Sequence, residues 1–391
     1  MARALRLALV AHALVLGIAA GAEEGAERRF TWRPSIQFRA AVNDNIALTE
    51  DEDADFGAWI APRIEAAWRT PDYQLGVDGS LDVHNYTDSK EADETFYRVH
   101  SFAEAGLLPG LSVRISDAFT PQPKVLGLPE DEPVNLLQTN RAELEMRYWR
   151  ELPGRREITL AALGGRFDAE RFAALVEGPG GGVVLDTGFR ADFWEGAGVV
   201  ELQNPFGDQH AGYLRGLVRQ RSFDDPAGAD HLEASGLIGF RSHMERGIEL
   251  DVAGGYGLLD LADAGSETMW LGRASVSIRR AGGWRYHAGF HHQLTVDVAG
   301  NDFVDTTGRL GVEKYFGKRT AVGLVGFLSQ LDSDSTDPSG NRFGGAELKL
   351  RRQLSRRVEA SLAYRHWENA GSFELDDMRQ DRAMLSLTYR H

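Results

Sequence analysis

Cysteine is absent from this 391-residue sequence, and no run of about 18 apolar residues follows its first 22 positions. The first absence excludes disulfide bonds and a lipid-modified cysteine at the N-terminus. The second excludes a transmembrane helix in the rest of the chain. Proline is also scarce, with 13 residues, whereas glycine reaches 44. Together with alternating apolar and polar positions, this composition predicts an all-β protein.

Positive charge is the next scarce feature, because the formal net charge is −15. Such acidity argues against nucleic acid as a partner. The N-terminus is an exception: Arg3 and Arg6 precede a mostly apolar stretch from Leu7 to Ala20, and Ala20-Gly21-Ala22 has the form of a cleavage site. We therefore expect residues 1–22 to be a secretory signal peptide and residues 23–391 to form the mature domain.

The segment from Trp284 to Val296 shows the pattern that recurs along the chain. Its even positions are mostly apolar and rich in aromatics, from Trp284 and Tyr286 to Phe290 and Leu294, and its odd positions are mostly polar. Because a strand points successive side chains to opposite faces, the segment predicts a strand with one apolar and one polar face. Similar segments, such as those around Leu144 and Leu250, carry charged residues at every second position.

Two classes of connection separate these segments in strict alternation. The short class is rich in Gly, Pro and basic residues and comprises Arg69–Asp72, Leu108–Gly110, Leu152–Arg155, Asn204–Gly207, Met244–Gly247, Arg280–Gly283, Phe316–Lys318 and Leu354–Arg357. The long class is acidic and comprises Glu50–Asp55, Asp88–Glu94, Thr120–Asn135, Asp168–Asp186, Asp224–Asp230, Asp260–Glu267, Asp297–Asp305, Asp332–Gly340 and Asn369–Asp381. Eight short and nine long connections join eighteen strands.

Short turns on one side and long loops on the other are typical of bacterial outer-membrane barrels. The spacing also leaves room for the about 9–11 residues that a strand needs to cross a bilayer. We predict a transmembrane antiparallel up-and-down β-barrel of about 18 strands in the outer membrane of a Gram-negative bacterium. Both termini would then lie on the periplasmic side, with the short turns. A soluble sandwich would instead place the charged face in water outside the protein.

In such a barrel the polar face lines the lumen, and many of its residues are arginines. The candidate solute path comprises Arg39, Arg63, Arg98, Arg114, Arg147, Arg190, Arg215, Arg241, Arg273, Arg285, Arg309 and Arg365. Inward carboxylates accompany them, among others Glu65, Asp78, Asp82, Glu104, Glu143, Glu145, Asp192, Glu249, Asp251, Glu313, Glu347 and Glu359. One interpretation is that both sets pair across strands and stiffen the wall. The other is that some cations stay unpaired and guide an anion.

Aromatic residues at predicted inward positions are Tyr86, Phe102, Trp149, Trp194 and Trp367. They would suit stacking against sugar rings, or would lie in the aromatic girdles at the membrane rims. The adjacent His291 and His292 fall on opposite faces, so they do not form a catalytic pair. Neither the Gly-x-Ser-x-Gly nor the His-Glu-x-x-His pattern occurs. We predict no enzymatic activity, no cofactor and no metal site.

Motifs at the two ends of the mature chain resemble a known family. Asp44-Asn45, the acidic run from Glu50, Pro62 and the closing Tyr364-Arg365 resemble the outer-membrane β-barrel porin family that is associated with capsule and exopolysaccharide export systems. The terminal strand also resembles the signal that such barrels present to their assembly machinery, although it ends in the polar His391 and not in an apolar aromatic residue such as Phe.

The resemblance implies that the barrel moves a secreted polysaccharide across the outer membrane, fed by a periplasmic polysaccharide export protein. Outer-membrane lipid and lipopolysaccharide would surround it. Two alternatives remain open at this point: a general or anion-preferring porin for small solutes, and a sealed structural or docking barrel.

Overall fold

The computed structural model describes residues 29–45, 54–88, 94–123, 136–153, 156–169, 192–224, 230–244, 247–261, 265–296, 302–332, 341–370 and 379–391. The predicted signal peptide, Arg190 and most of the predicted long loops lie outside these ranges. No helix in the described ranges is long and apolar enough to cross a membrane.

The described chain forms one 18-stranded sheet. Its strands are β1 (Arg29–Asn43), β2 (Asp55–Arg69), β3 (Tyr73–Tyr86), β4 (Glu94–Leu108), β5 (Leu111–Pro123), β6 (Leu136–Leu152), β7 (Arg156–Ala169), β8 (Phe193–Pro205), β9 (His210–Phe223), β10 (His231–Met244), β11 (Ile248–Leu261), β12 (Gly265–Arg280), β13 (Trp284–Val296), β14 (Asp302–Phe316), β15 (Thr320–Asp332), β16 (Asn341–Gln353), β17 (Val358–Ala370) and β18 (Arg379–Arg390).

Each strand pairs antiparallel with its sequence neighbours, and β1 also pairs with β18, from Ser35 opposite Arg390 to Asn43 opposite Arg382. The sheet therefore closes on itself and leaves no free edge. Closure satisfies the strand backbones internally, which a protein in hydrocarbon requires. The predicted closed barrel of eighteen strands is confirmed, and all eight predicted short turns fall between the expected strands.

Two predicted long loops are shorter than expected. Leu261 pairs with Gly265, so β11 and β12 extend into the predicted loop Asp260–Glu267 and leave a three-residue connection. The apolar alternation continues through Leu259 and Leu261, and Gly265 adopts a φ of 89°, which favours glycine. In the same way β14 begins at Asp302, within the predicted loop Asp297–Asp305.

The pairing register divides the described side chains into two faces. Residues opposite one another share a face, so Arg39, which is opposite Trp59 on β2 and Ser386 on β18, defines one face around the whole barrel. That face holds most of the buried side chains, including Tyr86 (2% exposed) and Trp367 (3%). We call it the inner face, because side chains crowd on the concave side of a closed sheet.

The outer face carries most of the exposed large apolar side chains. Among them are Leu328 and Tyr256, both 74% exposed, and Ile238 and Leu310, both 68% exposed. Such a continuous exposed apolar belt is unfavourable in water and favourable in hydrocarbon. The facing of the strands therefore fits a barrel whose outside contacts lipid.

Candidate functional site: the inner wall of the barrel

The inner wall is packed most closely at the end where the long connections lie. Trp59 and Tyr86 meet edge to face with ring centroids 5.8 Å apart, and Phe167 stacks on Phe193 at 4.7 Å. Each of these four side chains is less than 10% exposed. A solute therefore finds little free surface on this part of the wall.

At the short-turn end the inner wall is open to solvent. The side chains of Arg63, Arg147, Arg279 and Arg390 are 51%, 59%, 59% and 62% exposed. Their ion pairs, such as Arg63 with Asp78 at 2.5 Å, lie at the water-filled mouth. Exposed pairs of this kind contribute about 0–1 kcal/mol each, so they orient side chains more than they stabilise the barrel.

A buried ion-pair cluster crosses β6, β8 and β9. The carboxylate of Glu195, 8% exposed, accepts hydrogen bonds from Arg221 at 2.7 Å and Arg141 at 3.2 Å, and Arg219 lies at 3.8 Å. Arg141 reaches across β7 because Gly165 lies between Glu143 and Glu195, and a Cβ there would come within 2.8 Å of a backbone oxygen. One carboxylate thus holds three guanidinium groups.

A second cluster is built around Tyr213. Its hydroxyl donates to Asp251 at 2.7 Å and accepts from Arg273 at 2.9 Å, while the Arg241 guanidinium lies 4.2 Å from its ring centre. The ring crosses Gly239, where a Cβ would come within 2.2 Å of it. The Asp251 carboxylate is ion-paired with both Arg241 and Arg273, whose guanidinium nitrogens lie 3.1 and 3.6 Å from its oxygen. Because Arg241 also pairs with Glu201 at 2.7 Å, the two arginines and the two carboxylates of this cluster balance in charge.

The same sharing occurs further along this wall, where Glu313 is within 4.0 Å of both Arg285 and Arg351. In addition, on the inner face of β9 to β16, three cations away from the strand ends have no carboxylate within 4.0 Å among the described residues: Arg215, Arg309 and Lys349. We call these three residues the unpaired cations. They lie on β9, β14 and β16, so the wall from β9 to β16 carries accessible positive charge.

The opposite wall is mixed in charge. Arg98 and Arg114 also lack an ion-pair partner in the described ranges, and so do the carboxylates of Asp82 and Glu104 beside them. The Arg114 guanidinium lies 4.5 Å from the ring centre of Phe102, a cation–π contact. Among the described inner-face residues, the excess of unpaired cations therefore lies on the wall from β9 to β16.

Apolar side chains flank Arg215. Leu237 lies opposite it on β10, and Leu217, two residues along β9, lies opposite Val199 on β8. All three side chains are half-buried on the inner face. A guanidinium beside an apolar surface is suited to a solute with a carboxylate at one end and an apolar body.

The inner face also holds a hydroxyl-rich cluster at the long-loop end of β13 to β15. Asp305 contacts the imidazole of His291 at 2.8 Å and accepts hydrogen bonds from Thr307 at 2.7 Å and Ser329 at 3.2 Å. His292 points outward, as predicted, and stacks on Trp270 with ring centroids 3.7 Å apart. The carboxylate is thus fully used by its neighbours, and the two histidines do not act together.

One contact on the outer face has the residue types of a nucleophile and a base. Ser242 Oγ lies 2.8 Å from His210 Nδ1. The serine is only 1% exposed, and no carboxylate in the described ranges orients the imidazole. A nucleophile needs access to its substrate and an oriented base, so this pair does not form a hydrolase site. No group of three or more metal-ligating side chains occurs among the described residues.

The predicted inward placement of Trp194 and Asp192 is wrong. Phe193 and Glu195 face inward, so Trp194 lies on the outer face, 57% exposed, with the Arg166 guanidinium 5.2 Å from its ring centre. Asp192 is 3.9 Å from the same guanidinium. Arg166 also donates two hydrogen bonds to Asp224, at 3.2 and 2.6 Å, and this contact lowers the pKa of the Asp224 carboxyl. Trp194 and Arg166 thus belong to the outer rim.

The structure places every described arginine of the predicted solute path on the inner face. These are Arg39, Arg63, Arg98, Arg114, Arg147, Arg215, Arg241, Arg273, Arg285, Arg309 and Arg365. They are not gathered at one point, and their role in moving a solute stays a prediction. Arg63, Arg147, Arg241, Arg273, Arg285 and Arg365 are ion-paired.

Sequence reasoning missed three contributors to this wall. Arg221 and Lys349 lie an even number of residues from the predicted inward Arg215 and Glu347 on the same strands. The alternation of apolar and polar residues therefore could have predicted that both face inward. The central role of Glu195 could not be found from the alternation of β8, because small residues such as Gly196 and Gly198 hide which face is apolar.

No protein-family model matches the sequence, and no curated protein matches it. The fold, in contrast, is similar to solved outer-membrane porins. The outer membrane protein OpdK from Pseudomonas aeruginosa has a TM-score of 0.52 and 12% identity, over 92% of this chain and 99% of OpdK. A BenF-like porin from Pseudomonas fluorescens Pf-5 has a TM-score of 0.55 and 12% identity, over 93% and 98%.

OccAB4 from Acinetobacter baumannii is also similar, with a TM-score of 0.54 and 9% identity over 93% of this chain and 98% of that protein. At such identities the likeness concerns the fold alone. The chain has the closed 18-stranded barrel fold of outer-membrane porins.

Proposed function

We propose that this protein is an outer-membrane porin that passes small organic anions, and that the wall from β9 to β16 guides them. The observation that carries the proposal is the set of unpaired cations, Arg215, Arg309 and Lys349, on one side of the lumen. Cations that line a pore without counter-charges attract anions and hold them weakly enough to release them.

The surroundings of Arg215 favour an organic anion over an inorganic one. Leu217, Leu237 and Val199 would contact the apolar body of a solute while the guanidinium binds its carboxylate. Aromatic carboxylates have this form, and a crystal structure of Pseudomonas aeruginosa OpdK contains vanillate. Fold similarity does not transfer a ligand, and it is the apolar side chains around Arg215 that favour an aromatic carboxylate.

The orientation in the membrane is part of the same proposal. The described outer face carries Arg150, Arg280, Lys314 and Arg352 near the short turns and no carboxylate there, whereas the long connections are acidic. Short turns face the periplasm in outer-membrane barrels. On this basis we place both termini in the periplasm and the open, arginine-lined mouth on the periplasmic side.

We expect the purified protein to be anion-selective in planar bilayers. Replacing Arg215 and Arg309 together (Arg215→Gln, Arg309→Gln) should move the anion-to-cation permeability ratio toward 1, because both changes remove unpaired positive charge from the lumen. The measurement is the reversal potential in a potassium chloride gradient, followed by the rate of benzoate or vanillate uptake into liposomes.

The matched control is Arg150→Gln with Arg352→Gln, which removes the same charge from the outer face. It should leave the permeability ratio unchanged. Cation selectivity of the unaltered protein, or equal effects of the two double variants, would contradict the proposal. Absence of any conductance would favour the sealed barrel instead.

Export of polysaccharide, with a periplasmic export protein as partner, stays a prediction of the family resemblance. The names of the similar outer-membrane porins do not refer to polysaccharide export. Deleting the gene and measuring surface polysaccharide separates the two functions: unchanged polysaccharide together with slower uptake of organic anions is the result that the proposed function requires.

A further inference from the structure

The outer face has an open apolar depression, of about 460 Å³, in the described part of β12 to β15. Tyr286, Leu310 and Leu324 form its walls, and Ala288 and Gly326 occupy its floor. A Cβ at Gly326 would meet only a backbone oxygen at 3.8 Å, so nothing fills the space above the glycine. The volume is within the about 300–1,000 Å³ of ligand sites, and the side chains of Tyr286, Ala288, Leu310 and Leu324 all point to the lipid side.

The depression lies in the short-turn half of the strands. In the pairing register its residues Tyr286 and Leu324 fall in one row, and the next row toward the turns contains Arg280, Trp284 and Lys314. The apolar depression is therefore bordered directly by an aromatic and basic rim. Trp284 stacks on Tyr286 with ring centroids 6.0 Å apart, which joins the two parts.

The two rim cations have no carboxylate within 4.0 Å in the described ranges. Lys314 Nζ donates to Gly282 O at 2.6 Å and lies 4.6 Å from the centre of the Trp284 ring, so the ammonium group is held at the membrane interface with donors to spare. Arg280 is exposed on the same face. Two neighbouring positive charges at the end of an apolar depression match a lipid phosphate and its acyl chain.

We propose that the depression and its rim form a binding site for one anionic phospholipid from the leaflet at the short-turn end. The acyl chain lies between Tyr286 and Leu310 over Gly326, and the head-group phosphate accepts hydrogen bonds from Lys314 and Arg280. Trp284 lies at the ester level, where aromatic side chains prefer the interface. This site is separate from the lumen and does not depend on the transported solute.

Native mass spectrometry of the purified protein with added phosphatidylglycerol tests the site. The unaltered protein should retain one tightly bound phosphatidylglycerol and bind phosphatidylethanolamine more weakly. The head-group variant Arg280→Gln with Lys314→Gln should weaken binding at least tenfold. The chain variant Ala288→Leu with Gly326→Leu should weaken it as well, although both cations remain, because the added side chains fill the depression.

Arg150→Gln with Arg352→Gln is again the matched control, since it removes two outer-face cations that are neither in the lining of the depression nor in the row that borders it. The proposal is overturned if this control loses as much lipid as the head-group variant, or if phosphatidylethanolamine binds equally well. Unchanged binding in the head-group variant would overturn it too. The single variant Ala288→Leu is the milder form of the chain variant: if circular dichroism shows that it folds, unchanged binding there would also overturn the proposal.

Discussion

An arginine at position 324 should destabilise the barrel, whereas an arginine at position 325 should not. Leu324 and Val325 are neighbours in β15, but Leu324 lies on the outer face and is 47% exposed there, and Val325 points into the lumen opposite Glu347. We expect Leu324→Arg to lower the free energy of unfolding by about 1–2 kcal/mol, because Leu324 lies one row from the aromatic and basic rim, between the bilayer centre, where a cation costs about 2–4 kcal/mol, and the interface, where it costs about 0–1 kcal/mol. Val325→Arg should change it by less than about 0.5 kcal/mol, as for a solvated surface position.

Denaturant unfolding in lipid vesicles, followed by tryptophan fluorescence, measures both changes. The comparison is internally matched, because the two variants introduce the same side chain at adjacent positions of one strand. Equal destabilisation would mean that both faces lie in similar surroundings. A larger loss for Val325→Arg would reverse the assignment of inner and outer faces that the lumen chemistry depends on.

The sequence predicts the architecture well because alternation and turn chemistry are local signals. β13 begins at Trp284 and ends at Val296, as the alternating pattern predicts, and each short turn contains the Gly, Pro or basic residues that the pattern uses. An even number of strands makes β1 and β18 antiparallel to each other. Their pairing closes the barrel, since an unpaired β1 or β18 edge would leave backbone groups unsatisfied in lipid.

Sequence fails where alternation is weak or where the register matters. On β8 the outer positions Gly196 and Gly198 lack apolar side chains, so the phase of the strand, and with it Trp194, is assigned to the wrong face. Which arginines are paired depends on neighbours that lie far apart in the chain: Arg141 and Arg221 meet at Glu195 only because three strands are in register. No local pattern carries that information.

The physical reason why Arg215 stays unpaired is the competition for Glu201. In the register Glu201 lies directly opposite Arg215, yet its carboxylate is bound by Arg241 at 2.7 Å. The Arg241 guanidinium is also positioned by Asp251 and by the Tyr213 ring. It therefore loses less side-chain freedom on binding Glu201 than Arg215 would. The unpaired charge in the lumen is thus a consequence of a side-chain network and cannot be counted from composition.

Neutralising Glu195 should have the second large effect. In Glu195→Gln the guanidinium groups of Arg141, Arg219 and Arg221 lose the carboxylate they share, while Glu143 and Glu233 still neutralise only two of them. Removing one partner of a buried ion-pair cluster costs about 3–5 kcal/mol. Because Arg141 and Arg219 are 41% and 31% exposed to the lumen, solvent screening reduces the expected loss in free energy of unfolding to about 2–3 kcal/mol.

The same change removes one negative charge from the lumen and so makes its net charge more positive by one. Anion selectivity should therefore rise while stability falls. High salt should restore part of the stability, because a Debye length of about 3 Å at 1 M screens the repulsion among the arginines. Glu104→Gln is the control: it removes an inner-face carboxylate that has no cation within 4.0 Å among the described residues, and should leave stability nearly unchanged. If both variants unfold at the same denaturant concentration, Glu195 does not stabilise the barrel through Arg141, Arg219 and Arg221. The ion-pair cluster then contributes nothing measurable to the packing of β6, β8 and β9 on the inner side.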